Sequence, residues 1–105
     1  MKGEMHILGT DGIKYSTQID HPPTLEELRN KLGGGYLELV PLFTEWHGER
    51  CAAFCDEEGK LKSLPINVLA TSAWYSSAGP DRRISDVLVG PIVVITGDEE
   101  LLGGL

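Results

Sequence analysis

Two stretches of apolar residues open the chain, MHILGTDG and IKYSTQID, and they meet at Thr10-Asp11-Gly12. They predict a β-hairpin, because Asp-Gly supplies the positive φ that a tight turn requires. His21-Pro22-Pro23 interrupts the pattern, and Thr24 then caps a helix over TLEELRNKL. Glu27 stands three residues on, in the capping-box arrangement, and Leu25, Leu28 and Leu32 share one face. The triple glycine at 33 to 35 ends the helix and allows left-handed backbone. GYLELVPLF is almost continuously apolar, which predicts a central strand covered on both sides, with Pro41 near its exit. EWHGE is expected to be a loop, and RCAAFCDEEGKLKS a strand running into an acidic turn.

A second helix is predicted to start at LPINVLATSAW, with Ser63 as its cap and Pro65 in its first turn. Ile66, Leu69, Ala70, Ala73 and Trp74 recur at the spacing of one buried face. That leaves Asn67, Thr71 and Tyr75 stacked on the flank, four residues apart each, as a solvated stripe or as the wall of a site. SSAGPDRR is a loop by composition. ISDVLVGPIVVIT is expected to be the closing strand, interrupted at Gly90-Pro91, and DEELLGGL a short tail free to fray. The order ββ-α-ββ-α-β predicts one α+β domain over residues 1–105, a mostly antiparallel sheet with two helices packed on it.

The 105 residues suffice for one modest core and no more. Sixteen acids against nine bases, a net charge of −7, repel polyanions and argue against general nucleic-acid or anionic-membrane binding. A DNA mimic would need rows of carboxylates, whereas only Asp56-Glu57-Glu58 and Asp98-Glu99-Glu100 form runs. No apolar run approaches the roughly 20 residues of a membrane span, and MKGEMHILGTDG lacks a signal-peptide core. Cys51 and Cys55 are roughly 13 Å apart at strand rise, too far for a disulfide, so buried free thiols are expected.

His47, Cys51 and Cys55 could ligate metal only if they converged, which a straight strand prevents, so neither metal nor cofactor is expected. No nucleophile, base and orienting group are announced together, and the expectation is a binder that does no catalysis. The triple glycine follows a helix and precedes a strand, the reverse of a phosphate loop. An anion could sit at the start of the second helix, near Lys60 and Lys62. Arg82-Arg83 is the only adjacent basic pair. With Arg50 it could hold phosphates, while Tyr36, Trp46, Trp74 and Tyr75 offer surfaces on which a base could stack.

At GGYLELVPL, DEEGKLKSLPINVLAT and DVLVGPIVVITG the chain resembles a family of small phage and mobile-element proteins catalogued as a domain of unknown function. The resemblance rests on a Gly34-Gly35-Tyr36-x-Glu38 strand, an acidic turn at Glu58-Gly59-Lys60, and a Leu64-Pro65-x-Asn67-x-x-Ala70-Thr71 helix. A closing Asp86-x-x-Val89-Gly90 strand completes it. It implies phage origin and carries no chemistry of its own; with neither span nor signal core read in the sequence, the expected place is the cytoplasm of the infected bacterium. Small phage proteins of this kind often act by occupation, either sequestering a nucleotide signal of bacterial immunity or blocking a host protein.

The leading expectation is therefore a homo-oligomer, two-fold by base rate, that sequesters a small nucleotide-derived ligand. Asn67, Thr71 and Tyr75 would wall the site, Tyr36 and Trp46 would stack, and Arg50, Arg82 and Arg83 would hold phosphates. The alternative is an inhibitor that binds a bacterial defence protein through an acidic face formed by Glu38, Asp56, Glu57 and Glu58. A third reading has Asn67 and Thr71 bonding a neighbouring loop such as Gly34-Gly35-Tyr36.

Overall fold

The computed structural model describes residues 1–105. Its elements are β1 (Gly3–Leu8), β2 (Lys14–Ile19), α1 (Leu25–Lys31), β3 (Leu37–Leu39), β4 (Glu45–Trp46), β5 (Glu49–Asp56), α2 (Val68–Ala78), β6 (Ile92–Gly97) and α3 (Glu99–Gly103). The fold is α+β, and every strand pair is antiparallel. The sheet runs β2-β1-β6-β5-β3, with β4 attached to β5.

The centre of the sheet is β6, and its sequence explains why. Ile92, Val93, Val94 and Ile95 are all fully buried, as an unbroken β-branched run must be when both faces are covered. Ile92 and Val94 join Leu8, Ala53, Phe43 and Trp74 in one core; Val93 and Ile95 join Met5, Leu28, Leu32 and Leu101 in the other. Thus α2 covers one face of the sheet, and α1 with α3 covers the opposite face.

Several sequence expectations are met by local chemistry. The opening hairpin closes with Asp11 Oδ1 accepting from Ile13 N at 3.0 Å. In α1, Thr24 Oγ1 accepts from Glu27 N at 3.1 Å, and Thr24 N donates to Glu27 Oε1 at 3.2 Å. Gly33 and Gly34 are left-handed, with φ near 90°.

Others are corrected. GYLELVPLF yields only the three-residue edge strand β3, paired to β5 alone, with Leu39 59% exposed; the interposed Glu38 keeps one of its faces wet. EWHGE is a tight hairpin in which β4 and β5 pair through His47 (φ 50°) and Gly48 (φ 82°). Leu25 faces solvent while Leu28 and Leu32 are buried. Ahead of Gly90, the closing segment contributes one bridge, Val89 to Ile66. The C-terminal DEELLGGL forms α3, capped by Asp98 Oδ1 accepting from Leu101 N at 2.8 Å and anchored by a fully buried Leu101. The order is ββ-α-βββ-α-β-α.

Helix α2 begins later than expected and is turned differently. Its cap is Asn67, not Ser63, and Ile66 and Val68 are exposed at 55% and 70%. Asn67, Ala70, Thr71 and Trp74 are the residues that face the core.

Candidate functional site

The polar stripe of α2 is buried at Asn67 and Thr71 and exposed at Tyr75, and each of the three side chains has a partner within the protein. Asn67 is fully buried. Its Oδ1 accepts from Ala70 N at 2.9 Å, and its Nδ2 donates to Leu8 O and to Gly90 O, each at 2.9 Å. Thr71 Oγ1 accepts from Leu88 N at 3.0 Å and faces Leu88 O at 3.5 Å. The Tyr75 hydroxyl donates to Asp86 O. These three side chains fasten α2 to the end of β1 and to the 86–90 segment. They bond a neighbouring segment, as the third sequence reading has it, although the partner is 86–90 and not Gly34-Gly35-Tyr36. Neither Asn67 nor Thr71 lines any of the four principal cavities.

The remaining nucleotide candidates do not converge on one another. Trp46 is buried between the His6 ring, 5.7 Å away, and the His47 ring at 4.3 Å. Tyr36 is exposed and lies under the Arg29 guanidinium at 5.4 Å, while Arg29 itself donates to the carbonyls of Gly35 and Gly34. Arg50 is exposed where β5 pairs with Glu45. Arg82 and Arg83 are exposed, and neither side chain makes a hydrogen bond or ion pair. Asp86, a potential partner of theirs, is held by Lys60 instead. Of the eight residues, only Trp46 lines one of the four principal cavities, a polar hollow beside His47 and Ser77.

A different concavity has the character of a binding site. A cleft of about 280 Å³ lies where β3, the end of β5, the 56–61 turn and the 86–89 segment meet Trp74. Val40, Pro41, Trp74, Leu88 and Val89 give it an apolar lining, and Trp74 is fixed by Nε1 donating to Pro41 O at 2.7 Å. Glu38, Asp56, Glu57 and Asp86 surround this lining, with Lys60 as the one base among them. An apolar floor with a few convergent polar groups is the usual make-up of a ligand pocket. The largest concavity, about 690 Å³ at the end of β1, β2 and β6, has Ile19 as its single hydrophobic residue and lacks such a floor.

The carboxylates around the cleft differ in how far they are already satisfied. Asp56 is nearly buried, accepting from Lys62 Nζ at 2.7 Å and from Glu58 N at 2.9 Å. The Lys62 bond holds its carboxyl below the usual range. A Cβ at position 35 would stand 2.8 Å from that carboxylate, so Gly35 is what lets the chain after α1 pass it. Asp86 is likewise held low by Lys60, and it also accepts from Val87 N at 2.8 Å. Lys60 and Asp86 are both about half exposed, and such a pair is worth only about 0–1 kcal/mol, so an incoming cation could displace it. Glu38 and Glu57 have no ion-pair or hydrogen-bond partner for their carboxylates and are exposed. Leu61, on the same rim, is 85% exposed.

Burial shifts three groups of a kind used in catalysis. Burial pushes the Cys55 thiol, in the cleft, up to about 11 and the Cys51 thiol up to about 12, which leaves both protonated and weakly nucleophilic at neutral pH. His6 is buried, its pKa lowered by desolvation, with Nδ1 at 2.7 Å from Ser16 Oγ and Nε2 at 3.4 Å from Thr96 Oγ1.

The acidic face expected from sequence comprised Glu38, Asp56, Glu57 and Glu58, of which all but Glu58 line the cleft, and it did not place Leu61 or the Lys60–Asp86 bridge beside them. The available signal was Lys60-Leu61-Lys62: a leucine between two lysines in a turn has no strand or helix face to hide it. The chain belongs to the family described as Domain of unknown function (DUF3846), whose model matches residues 5–103. No curated protein and no solved structure matches it.

Proposed function

We propose that this protein is a non-catalytic binding module whose acidic cleft receives a cationic, partly apolar segment of another protein. The observation that carries this reading is the pair of unpartnered carboxylates, Glu38 and Glu57, on the rim of an apolar floor, beside an exposed Leu61. A lysine or arginine side chain suits such a place, because its methylene stem packs on apolar surface while its charged head meets carboxylates. Lys60 bridged to Asp86 is the chain's own example of a cation on that rim. In the phage setting that the family resemblance implies, the partner class is a bacterial defence protein presenting a basic patch, met in the host cytoplasm. The net charge of −7 favours such a partner and speeds its approach.

Sequestration of a nucleotide-derived ligand finds less support. Its intended polar wall is bonded to backbone, the cleft repels phosphate, and its remaining cations are separate exposed arginines.

An NMR titration of the ¹⁵N-labelled protein separates the two readings. One arm uses a short peptide of alternating lysine and leucine, the other a panel of cyclic nucleotides and ADP-ribose derivatives. The peptide is expected to shift the amides of residues 38, 56–61 and 86–89, with an affinity that falls as salt rises. Saturable nucleotide binding that shifts residues 82 and 83, with no peptide effect at the cleft, would overturn the proposal.

A further inference from the structure

Strand β2 stands at the edge of the sheet and is paired on one side only, with β1. Five of its six residues, Lys14 to Gln18, are exposed, and Ile19 is half-buried. Natural edge strands are usually blunted by proline, by a bulge, by inward charges or by a covering segment. Within KYSTQI there is no proline or glycine, and the only charge is Lys14.

The hydrogen-bonding direction of each residue follows from the turn. Gly9 N donates to Ile13 O at 2.9 Å, one step beyond the Leu8–Lys14 pair. Antiparallel alternation then turns the backbone groups of Tyr15, Thr17 and Ile19 toward β1 and those of Lys14, Ser16 and Gln18 outward. The outward set is a free template for another strand.

We propose that β2 pairs antiparallel with β2 of a second copy, about a two-fold axis at Thr17, so that the two sheets become one continuous sheet. The strand is complementary to itself in this register. Lys14 falls opposite Asp20 of the second copy, Tyr15 opposite Ile19, Ser16 opposite Gln18 and Thr17 opposite Thr17. Opposite charges, an aromatic against a β-branched residue, and paired hydroxyls are the cross-strand combinations that stabilise antiparallel sheets. Two-fold symmetry makes the charge pair twice, once at each end. Asp20 is ready for that pairing, since its carboxylate is exposed and touches only His21 within its own chain, at 2.9 Å. Lys14 must leave the face of Trp46, where its ammonium lies 5.8 Å from the ring centroid. Moving the register by two residues puts Ser16 on the axis, sets Lys14 against Gln18 and leaves the charges unmatched.

Cysteine cross-linking reads the register directly. Thr17 on the axis would face itself in a pair that exchanges no backbone hydrogen bonds, where Cα atoms are about 4.5 Å apart, within disulfide reach. Under mild oxidation Thr17→Cys is expected to double in mass on a non-reducing gel, while Tyr15→Cys and Ser16→Cys stay at the mass of one chain. In sedimentation, the wild type is expected to be a dimer. Lys14→Asp alone and Asp20→Lys alone should each weaken dimerisation about tenfold, and the double variant should restore it. A wild-type monomer at every concentration would overturn the proposal, as would cross-linking through Ser16→Cys in place of Thr17→Cys or a dimer indifferent to the charge reversals. None of these readouts depends on what the acidic cleft binds.

Discussion

The stripe on α2 and the cleft beside it both carry polar side chains, neutral in one and charged in the other, and differ in what those groups are already doing. Asn67, Thr71 and Tyr75 are a compact polar set in sequence, and in the structure their hydrogen-bonding groups are taken up by Leu8, Gly90, Ala70, Leu88 and Asp86. The cleft residues are scattered from 38 to 89, yet Glu38 and Glu57 remain unpartnered, and Leu61 is left in water. A buried polar group that is fully satisfied supports the fold. A binding site needs capacity left over.

The largest effect that probes this contrast is on stability. Asn67→Ala removes a helix cap, worth about 1 kcal/mol, and takes a side-chain donor from two buried carbonyls, at about 1–3 kcal/mol for one left without another donor. A loss of about 3 kcal/mol or more, read as a Tm lowered by more than about 10 °C, is expected by thermal melting. A melting temperature within a few degrees of wild type would mean the stripe is free after all.

The next effect is on binding. Glu38→Lys with Glu57→Lys should reduce affinity for the lysine-leucine peptide by roughly tenfold or more, because two attractions become repulsions. Their exposure predicts a stability change within about 0.5 kcal/mol. Calorimetric titration and a melt on the same sample check both halves. Smaller still is Lys60→Ala, which removes the resident cation from Asp86 and should tighten the peptide only a few-fold, since the bridge is a half-exposed pair.

The smallest effect concerns acid. Burial lowers the pKa of His6 from 6.5, so the unfolded chain binds more protons than the folded one between the lowered value and 6.5. Stability is therefore complete above that window and is lost as pH falls through it. His21 has its pKa raised, chiefly by its bond to Asp20, and acts with the opposite sign, but it is solvent-exposed. Melting curves from pH 7.5 to 5 should show a decline of a few degrees, and His6→Gln should flatten it.

Features written in neighbouring residues were legible in the sequence. The Asp-Gly hairpin, the Thr24–Glu27 box and the glycine stop need only local chemistry, and all formed. The rotation of α2 was not legible, because Asn67 is held by Leu8 and Gly90, 59 and 23 residues away, and no short window contains that pairing. Which strand is central was misread for a related reason. Leu37-Glu38-Leu39 sits in an apolar stretch but alternates, and only the unbroken Ile92–Ile95 run tolerates burial on both faces. The acidic half of the cleft could be read from Glu38, Asp56 and Glu57, whereas its floor, brought together from Val40, Trp74 and Leu88, could not.

Both regions can be watched in a single experiment, the peptide titration followed by amide NMR, because Ala70 and the Asn67 side-chain amide report the stripe while residues 56–61 report the cleft rim. The account predicts that the rim amides move on saturation while the Ala70 amide and the Asn67 side-chain amide stay in place and protected from exchange. Movement of Ala70 and the Asn67 side-chain amide, with residues 56–61 unmoved, would contradict it.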